Sequence, residues 1–508
     1  MGRGRARAAR GRTQAADPDL NALRVHSDVL IVGAGSSGSV LAERLSFDNR
    51  CRVTVVESGP GPADRGVLGQ ITDGLRLPIG PGSPVVRRYR STLTDTPRRD
   101  VEIVRGAVVG GSGAINGGYF CRALPSDIDR WALDGWSWDD VLPHFTAIEN
   151  DLDFHGPLHG ADGPITVRRP AEFKGCTAAF VASAQAAGFE WISDLNGSTP
   201  QWSLSEGVGA VPLNIDGGTR MGPGMAFLQP ALQRRNLTVL TDTRVLRIQV
   251  VKGRATGLDC LGPGGRIVLT ADQIALCAGA IGSAHLLMLS GFGPEPVLRA
   301  AGVPIAVDLP VGVGTVDHPE WVLPVSWQSA SGVPPLEAVL TTRDGLELRP
   351  YTAGFGAMSS GSRVDPTDQP HLGVALMRPR CRGRVVLASA DPAVAPLIEH
   401  RYDSETADVE LLRSGCELAA EIVGSPVQSE ARWATSQHLC GSARMGRDGD
   451  PAAVVDNRCR VFGVDGLSVI DGSILPAITS RGPHATIVTV GHRAAEFITS
   501  TSSEQADA

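Results

Sequence analysis

Four branched apolar residues, Val29-Leu30-Ile31-Val32, run without a break into Gly33-Ala34-Gly35-Ser36-Ser37-Gly38. A short apolar run closed by glycine reads as a strand buried on both faces of a parallel sheet. Behind it Val40, Leu41 and Leu45 recur at helical spacing, residues 52–56 form a second apolar run, and Glu57 follows. Strand, glycine turn, helix, strand and acid make a βαβ unit of the kind that cradles a dinucleotide. Gly33 and Gly35 let the backbone meet a pyrophosphate, Gly38 lets helix pack on strand, and the helix N-terminus offers free N–H donors. Glu57, nineteen residues beyond Gly38, is placed to accept hydrogen bonds from ribose hydroxyls. A carboxylate there disfavours a 2′-phosphate, so FAD or NAD is expected rather than NADP.

At 508 residues the chain exceeds what one core usually spans, and two domains are expected. A net charge of −7 gives no nucleic-acid footprint. Residues 1–12 are the exception, with five arginines and no acid; such a segment is expected to be a disordered, solvated tail. It has no apolar stretch to serve as a secretory signal. No apolar run is long enough for a transmembrane helix, so any membrane contact would be peripheral. Nine cysteines, an odd number without a C-x-x-C pair, fit the reduced thiols of a cytoplasmic protein rather than disulfides or a zinc site. No metal site is expected. Cys440 lies two residues from His438, but adjacency in sequence does not orient a catalytic pair.

Further along, residues 137–149 and 177–187 read as helices, the first capped by Ser137 and the second stopped at Gly188. Residues 237–275 read as a β-meander, 274–277 as a further strand and 283–289 as a helix. From about 303 to 430 short alternating strands dominate, among them 321–327, 372–377 and 384–388, and an antiparallel sheet is expected. The division that follows is a basic tail over 1–25, a discontinuous cofactor domain over 26–150, 205–300 and 431–500, and a substrate domain over 151–204 and 301–430. Trp131, Trp136 and Trp138 are expected to pack in the core or between domains.

The hexad alone does not separate FAD from NAD. Residues 105–116, Arg-Gly-Ala-Val-Val-Gly-Gly-Ser-Gly-Ala-Ile-Asn, hold more glycine than a turn needs and suit a wrap around a second phosphate and an isoalloxazine ring. Here the chain resembles the glucose–methanol–choline (GMC) family of FAD oxidoreductases, whose motif R-G-x-x-x-G-G-S-S-x-x-N falls on this stretch. Residues 279–293 match the family's G-A-x-x-S-P-x-L-L-x-x-S-G-I-G, with Ala284 for proline and Phe292 for isoleucine. His438-Leu-Cys-Gly-Ser-Ala-Arg-Met-Gly446 matches H-x-x-G-T-x-x-M-G, with Ser442 for threonine, and 463–476 match G-V-x-G-L-x-V-x-D-x-S-x-x-P. The motifs occur in order from 28 to 495. Within the family, the compact length and residues 77–84 and 113–122 look like the subgroup associated with mycofactocin, a peptide-derived redox cofactor.

The resemblance implies a two-domain α/β fold, with a Rossmann-like FAD-binding domain and a second α+β domain on an antiparallel sheet. It implies dehydrogenation of a CH–OH donor; the subgroup likeness favours reduced mycofactocin, with electrons passing towards the respiratory chain from a cytoplasmic protein or one peripheral at the inner face of the membrane, and a small alcohol is the alternative donor. A lyase on the same fold is the alternative of a different class. His438 matches the family's general base, and His484 falls where the family places His or Asn to orient the substrate oxygen; the two roles are exchangeable at this level. A neutral imidazole suits proton removal near neutral pH. By position Gly110, Gly111, Asn116, Gly279, Asp471 and Gly472 are expected at the flavin and phosphates, and Val245 at the adenine through its backbone. Some members attach FAD through a histidine just before the Asn116 position; Ile115 stands there, so non-covalent FAD is expected. His318 is left as support near the cofactor, and His285 and His492 are read as structural.

Overall fold

In the computed structural model residues 24–200, 206–359, 368–424 and 432–506 are described; the arginine-rich residues 1–12 lie outside them. The first sheet runs in the order Leu237–Leu240, Val53–Val56, Arg24–Val32, Gly265–Leu276, Arg254–Gly262, Arg244–Val251. Leu467–Val469 pairs in parallel with the inner end of Gly265–Leu276. Val29, Leu30, Ile31 and Val32 are all buried, as a central parallel strand between two parallel neighbours requires. The helix Ser36–Ser46 covers one face, burying Val40, Leu41 and Leu45.

The meander differs from expectation in two ways. Leu237–Leu240 does not join it but pairs in parallel with Val53–Val56. The segments at 267–269 and 274–276 are one strand, Gly265–Leu276, whose first half pairs antiparallel with Arg254–Gly262 while most of its length runs parallel to Arg24–Val32. A single long strand therefore joins the hairpin region to the parallel sheet.

This topology brings four strand ends together. Arg24–Val32 delivers Gly33, Val53–Val56 delivers Glu57, Gly265–Leu276 delivers Gly279 within three residues, and Leu467–Val469 delivers Asp471 and Gly472. In open α/β sheets ligands bind beyond the carboxyl ends of the strands. Residues 33–57 and residues 471–472 thus meet at that edge.

The second sheet has the order Arg432–Thr435, Pro319–Pro324, His371–Leu376, Leu346–Pro350, Ala338–Thr341, Gly207–Ala210, Trp191–Ile192. It is antiparallel except for its last pair. Side chains alternate across it. Leu346 and Leu348 enter a core shared with the helices Gly175–Ala186 and Thr406–Val423, while the intervening Glu347 and Arg349 point to the opposite face. Two strands fall outside the domain ranges expected for them: Gly207–Ala210 and Arg432–Thr435 belong to this sheet. Conversely Gly383–Val386 lies in a third, five-stranded sheet with Val313–Thr315, Leu397–Glu399 and the hairpin Val86–Asp95/Arg98–Gly106. Thr406–Val423 is a helix within the region read as strands, with Asp408, Leu412, Gly415, Cys416, Ala419 and Ile422 on its buried face. Trp131, Trp136 and Trp138 are buried.

Candidate active site

Between the strand ends of the first sheet and the polar face of the second lies a cavity of about 560 Å³. Gly33, Gly35, Glu57, Gly111, Asn116, Val245, Gly279, Asp471, Gly472, His438 and His484 all line it. Gly38 and Gly110 do not. A Cβ on Gly38 would sit 2.0 Å from the Gly33 carbonyl oxygen, so this glycine serves helix–strand packing. Gly110 turns in the left-handed region (φ 98°) and donates its N–H to the Ala34 carbonyl at 2.7 Å, which locks the two glycine loops together. A Cβ on Gly111 would lie 2.7 Å from the Gly35 Cα, backbone against backbone.

At this end of the cavity, no side chain caps the Ser36–Ser46 helix, which begins after Gly35. Its first N–H groups are therefore free for an anion. Glu57 is buried, and its carboxylate accepts from the N–H of Ala34 at 3.0 Å and of Gly59 at 2.9 Å. Burial pushes its pKa up and the backbone donors oppose that. Asp471 is tied down by its own hydrogen bonds at the cavity wall. Its carboxylate is engaged by the Gly279 N–H (2.8 Å), the Ser283 hydroxyl (2.5 Å) and the Ser473 N–H (2.8 Å), and so holds the start of the helix Gly279–Leu289.

At the other end the two histidines sit in networks that fix their tautomers. His318 Nε2 lies 3.0 Å from the Thr479 carbonyl oxygen, and His318 Nδ1 lies 2.8 Å from His438 Nδ1. A carbonyl only accepts, so His318 carries its proton on Nε2 and offers a lone pair at Nδ1. His438 Nδ1 must then donate, which leaves the His438 Nε2 lone pair open on a ring that lines the cavity. His484 is the reverse. The Asn116 carbonyl oxygen accepts from the Gly118 N–H at 3.0 Å, so the Asn116 amide donates to His484 Nδ1 at 3.1 Å. The neutral ring then carries its proton on Nε2, a buried atom without a hydrogen-bond partner. One histidine presents an acceptor and the other a donor.

Both are kept neutral. Burial pushes the pKa of His438 well below the usual imidazole range, with His318 and the Arg349 and Arg105 cations adding to it. Burial, and then Arg220, pushes His484 down to about 4. Gln437, in the left-handed region at φ 60°, accepts through its side-chain oxygen from the Val104 N–H at 2.9 Å and from Arg105 at 3.2 Å, pinning the residue before His438. Cys440 spends its thiol on the His438 carbonyl (2.9 Å).

The second sheet also carries a polar constellation that no sequence motif announces. Arg349 bonds Glu347 at 2.8 Å, Glu320 at 3.1 Å and Ser436 at 2.6 Å. The Tyr351 hydroxyl donates to Glu320 at 2.8 Å and that of Tyr119 to Glu347 at 2.9 Å. Glu320, Arg349, Tyr351 and Tyr119 line the cavity beside His438. Charged residues at every second position of the Leu346–Pro350 strand were the signal available.

Comparison with known proteins agrees with this geometry. GMC oxidoreductase domains match residues 27–320 and 379–491, and the chain belongs to the GMC oxidoreductase family of flavin enzymes that act on CH–OH donors. It is 40% identical to an uncharacterized GMC-type oxidoreductase of Rhodococcus erythropolis, over 93% of this chain and 98% of that one. It is 31% identical to the oxygen-dependent choline dehydrogenase of Rhizobium etli, over 93% and 96%. Among solved structures, pyridoxine 4-oxidase from Mesorbium loti superposes with a TM-score of 0.83 at 29% identity, covering 92% of this chain and 98% of that one.

FAD is the cofactor of this family, and the residues present fit it. The glycine loops leave no room for side chains where they meet, the uncapped helix end suits a pyrophosphate, and the orphaned His484 Nε2–H and Arg105 guanidinium nitrogen are donors awaiting acceptors.

Proposed function

We propose that the chain oxidises an uncharged alcohol, with His438 as the base that takes the hydroxyl proton and His484 as a hydrogen-bond donor at the reacting end of the cavity. The opposed tautomers carry this reading: the His438 Nε2 lone pair is free on a cavity-lining ring, and the His484 Nε2–H has no protein acceptor. A bound FAD would supply the hydride acceptor. Gly33, Gly35, Gly111 and the open helix end would hold its phosphates. Glu57 would hold its ribose, the Val245 backbone its adenine, and Gly279, Gly472 and Asn116 its middle and flavin end. Ile115 offers no nucleophile, which supports non-covalent FAD; acid precipitation should then release all the flavin into the supernatant.

The substrate wall supports an uncharged donor. Glu320 and Glu347 are already paired with Arg349, and their remaining oxygens take tyrosine hydroxyls. A quaternary ammonium would find no unpaired carboxylate among these groups. Reduced mycofactocin is the favoured donor on the likeness at 77–84 and 113–122, with a small neutral alcohol as the second choice. Electrons would then pass to a respiratory-chain acceptor. Free cysteines throughout support a cytoplasmic setting. Among the described residues no helix is long and apolar enough to cross a membrane, so docking at the inner face would be peripheral.

Anaerobic titration of FAD-loaded protein with neutral alcohols, choline and reduced mycofactocin tests this reading. Bleaching by a neutral donor but not by choline is expected, and re-oxidation by a quinone or by air names the acceptor. Turnover of a cyanohydrin without bleaching would point to the lyase instead.

A further inference from the structure

We propose that His318 is a positioning residue that decides which nitrogen of His438 carries the proton. The inference rests on the reading of His438 as the base. His318 does not line the cavity; it stands behind His438. Its ring is fully buried, with Nε2 on the Thr479 carbonyl at 3.0 Å and Nδ1 on His438 Nδ1 at 2.8 Å, the two rings at 89° and 5.1 Å between centroids. The chain Thr479 C=O, His318, His438 is a relay of polarity with one solution: each Nδ1–H or Nε2–H must point away from the cavity, and the free lone pair appears on His438 Nε2. Protonating His318 at both nitrogens would make its Nδ1–H the donor and drive the His438 proton to Nε2; burial opposes that by pushing this histidine down to about 3.

The backbone enforces the same pairing. One oxygen of Asp317 accepts both the His318 N–H and the His438 N–H, each at 2.7 Å. Val316 and Cys440 exchange backbone hydrogen bonds at 3.1 and 2.8 Å, so the segments carrying the two rings are in register over several residues. Without an acceptor at the His318 Nδ1 position, His438 is free to place its proton on Nε2, where it is a donor and not a base. A wrong tautomer is costly at other catalytic histidines.

The test uses the FAD-loaded full chain labelled with ¹⁵N-histidine, together with His318→Leu and His318→Asn. The His438 signals are identified as those missing from His438→Gln. Wild type should show His438 protonated at Nδ1 and bare at Nε2. His318→Leu should mix the two tautomers and lower the rate of flavin reduction at saturating donor by about tenfold, part of the roughly 10²–10⁴ a positioned base contributes. KM should hardly move. His318→Asn restores an acceptor oxygen near the old Nδ1 and should recover both the tautomer and most of the rate. A His438 proton on Nε2 in wild type overturns the proposal, as does His318→Leu with unchanged tautomer and rate. Should His318→Leu fail to bind FAD, the wild-type spectrum and the Asn variant decide alone. Full activity in His438→Gln would sink the assignment of the base and leave the tautomer result standing, so the two failures are distinguishable.

Discussion

His438 and His159 are both partly buried, yet one is held neutral and the other charged. Around His438 stand two other imidazoles, His318 and His484, and two arginines; burial and these neighbours push its pKa down. His159 lies between Asp151 at 3.0 Å and Asp194 at 2.9 Å, one on each ring nitrogen. Burial works to lower its pKa too, but the two hydrogen-bonded acids win and raise it to about 9. Arg169 bridges the same two acids at 2.6 and 3.0 Å, and Arg122 is paired with Glu149 beside them. The first environment makes a proton acceptor of an imidazole. The second makes a cross-link of it, tying the loop that carries His159 to Asp151 and to Asp194. Glu149, Asp151 and His159 are close enough to one another to suggest metal ligands, but two guanidiniums already supply the positive charge.

The sharpest way to break the contrast is to remove each ring. His438→Ala should lower the rate of flavin reduction by about 10²–10⁴ while leaving the bound flavin in place. Stopped-flow reduction under anaerobic conditions measures both. A loss of less than threefold would mean that the neutral site is not the base. The pH dependence carries the same sign. With its folded pKa held below the ordinary value of about 6.5, His438 stays unprotonated through neutral pH. The rate should therefore be flat down to about pH 6.5 and fall only on further acidification.

Next in size is the glycine contact on which both histidines depend for a cofactor to act on. Gly111→Ala sets a Cβ 2.7 Å from the Gly35 Cα, and neither backbone can yield cheaply. Overpacking of this kind costs about 2 kcal/mol, roughly thirtyfold in FAD affinity if it falls on the bound state. Flavin absorbance per protein after dialysis reports it. Retention of full flavin content would show that the loops close without the glycine.

What was legible in the sequence follows from how local each feature is. Residues 29–57 announce the βαβ unit because strand, turn, helix and acid are contiguous, and the structure builds that unit there. The glycine stretch 105–116 and the His438 and His484 segments were likewise visible as motifs. Strand partners were not. Leu237–Leu240 looks like the first strand of a meander, and only its parallel pairing with Val53–Val56, nearly two hundred residues away, moves it. The helix Thr406–Val423 lies in a stretch of short alternating apolar runs, whose two-residue period masks the three- to four-residue spacing of its buried positions. His318 could be placed near the cofactor but not behind His438, since that contact spans 120 residues of sequence.

A smaller effect should come from the partner that sets His484. Asn116→Leu removes the amide that donates to His484 Nδ1. A neutral hydrogen bond of this kind contributes about 1 kcal/mol, so a change of roughly fivefold is expected in kcat/KM. An unchanged kcat/KM would mean that His484 keeps its tautomer unaided.

The smallest effect tests the charged side of the comparison. Because the folded pKa of His159, about 9, exceeds its ordinary 6.5, the folded state binds the extra proton more tightly than the unfolded chain. Its contribution to stability is complete below about pH 6.5 and is lost as pH rises through about 9. Asp151 and Asp194 are shifted downwards and stay ionised across that window, so the imidazole is the member of this cluster expected to titrate there. Thermal unfolding of the FAD-loaded protein should therefore give a Tm that declines between about pH 6.5 and 9. In His159→Gln the starting Tm should be lower and the decline shallower, because the two acids lose a cation that could be titrated away. Parallel curves for the two proteins would mean that His159 is neutral in the fold. Arg122 and Arg169 alone would then balance the acids, and the opposition between the two histidine environments would rest on His438 only.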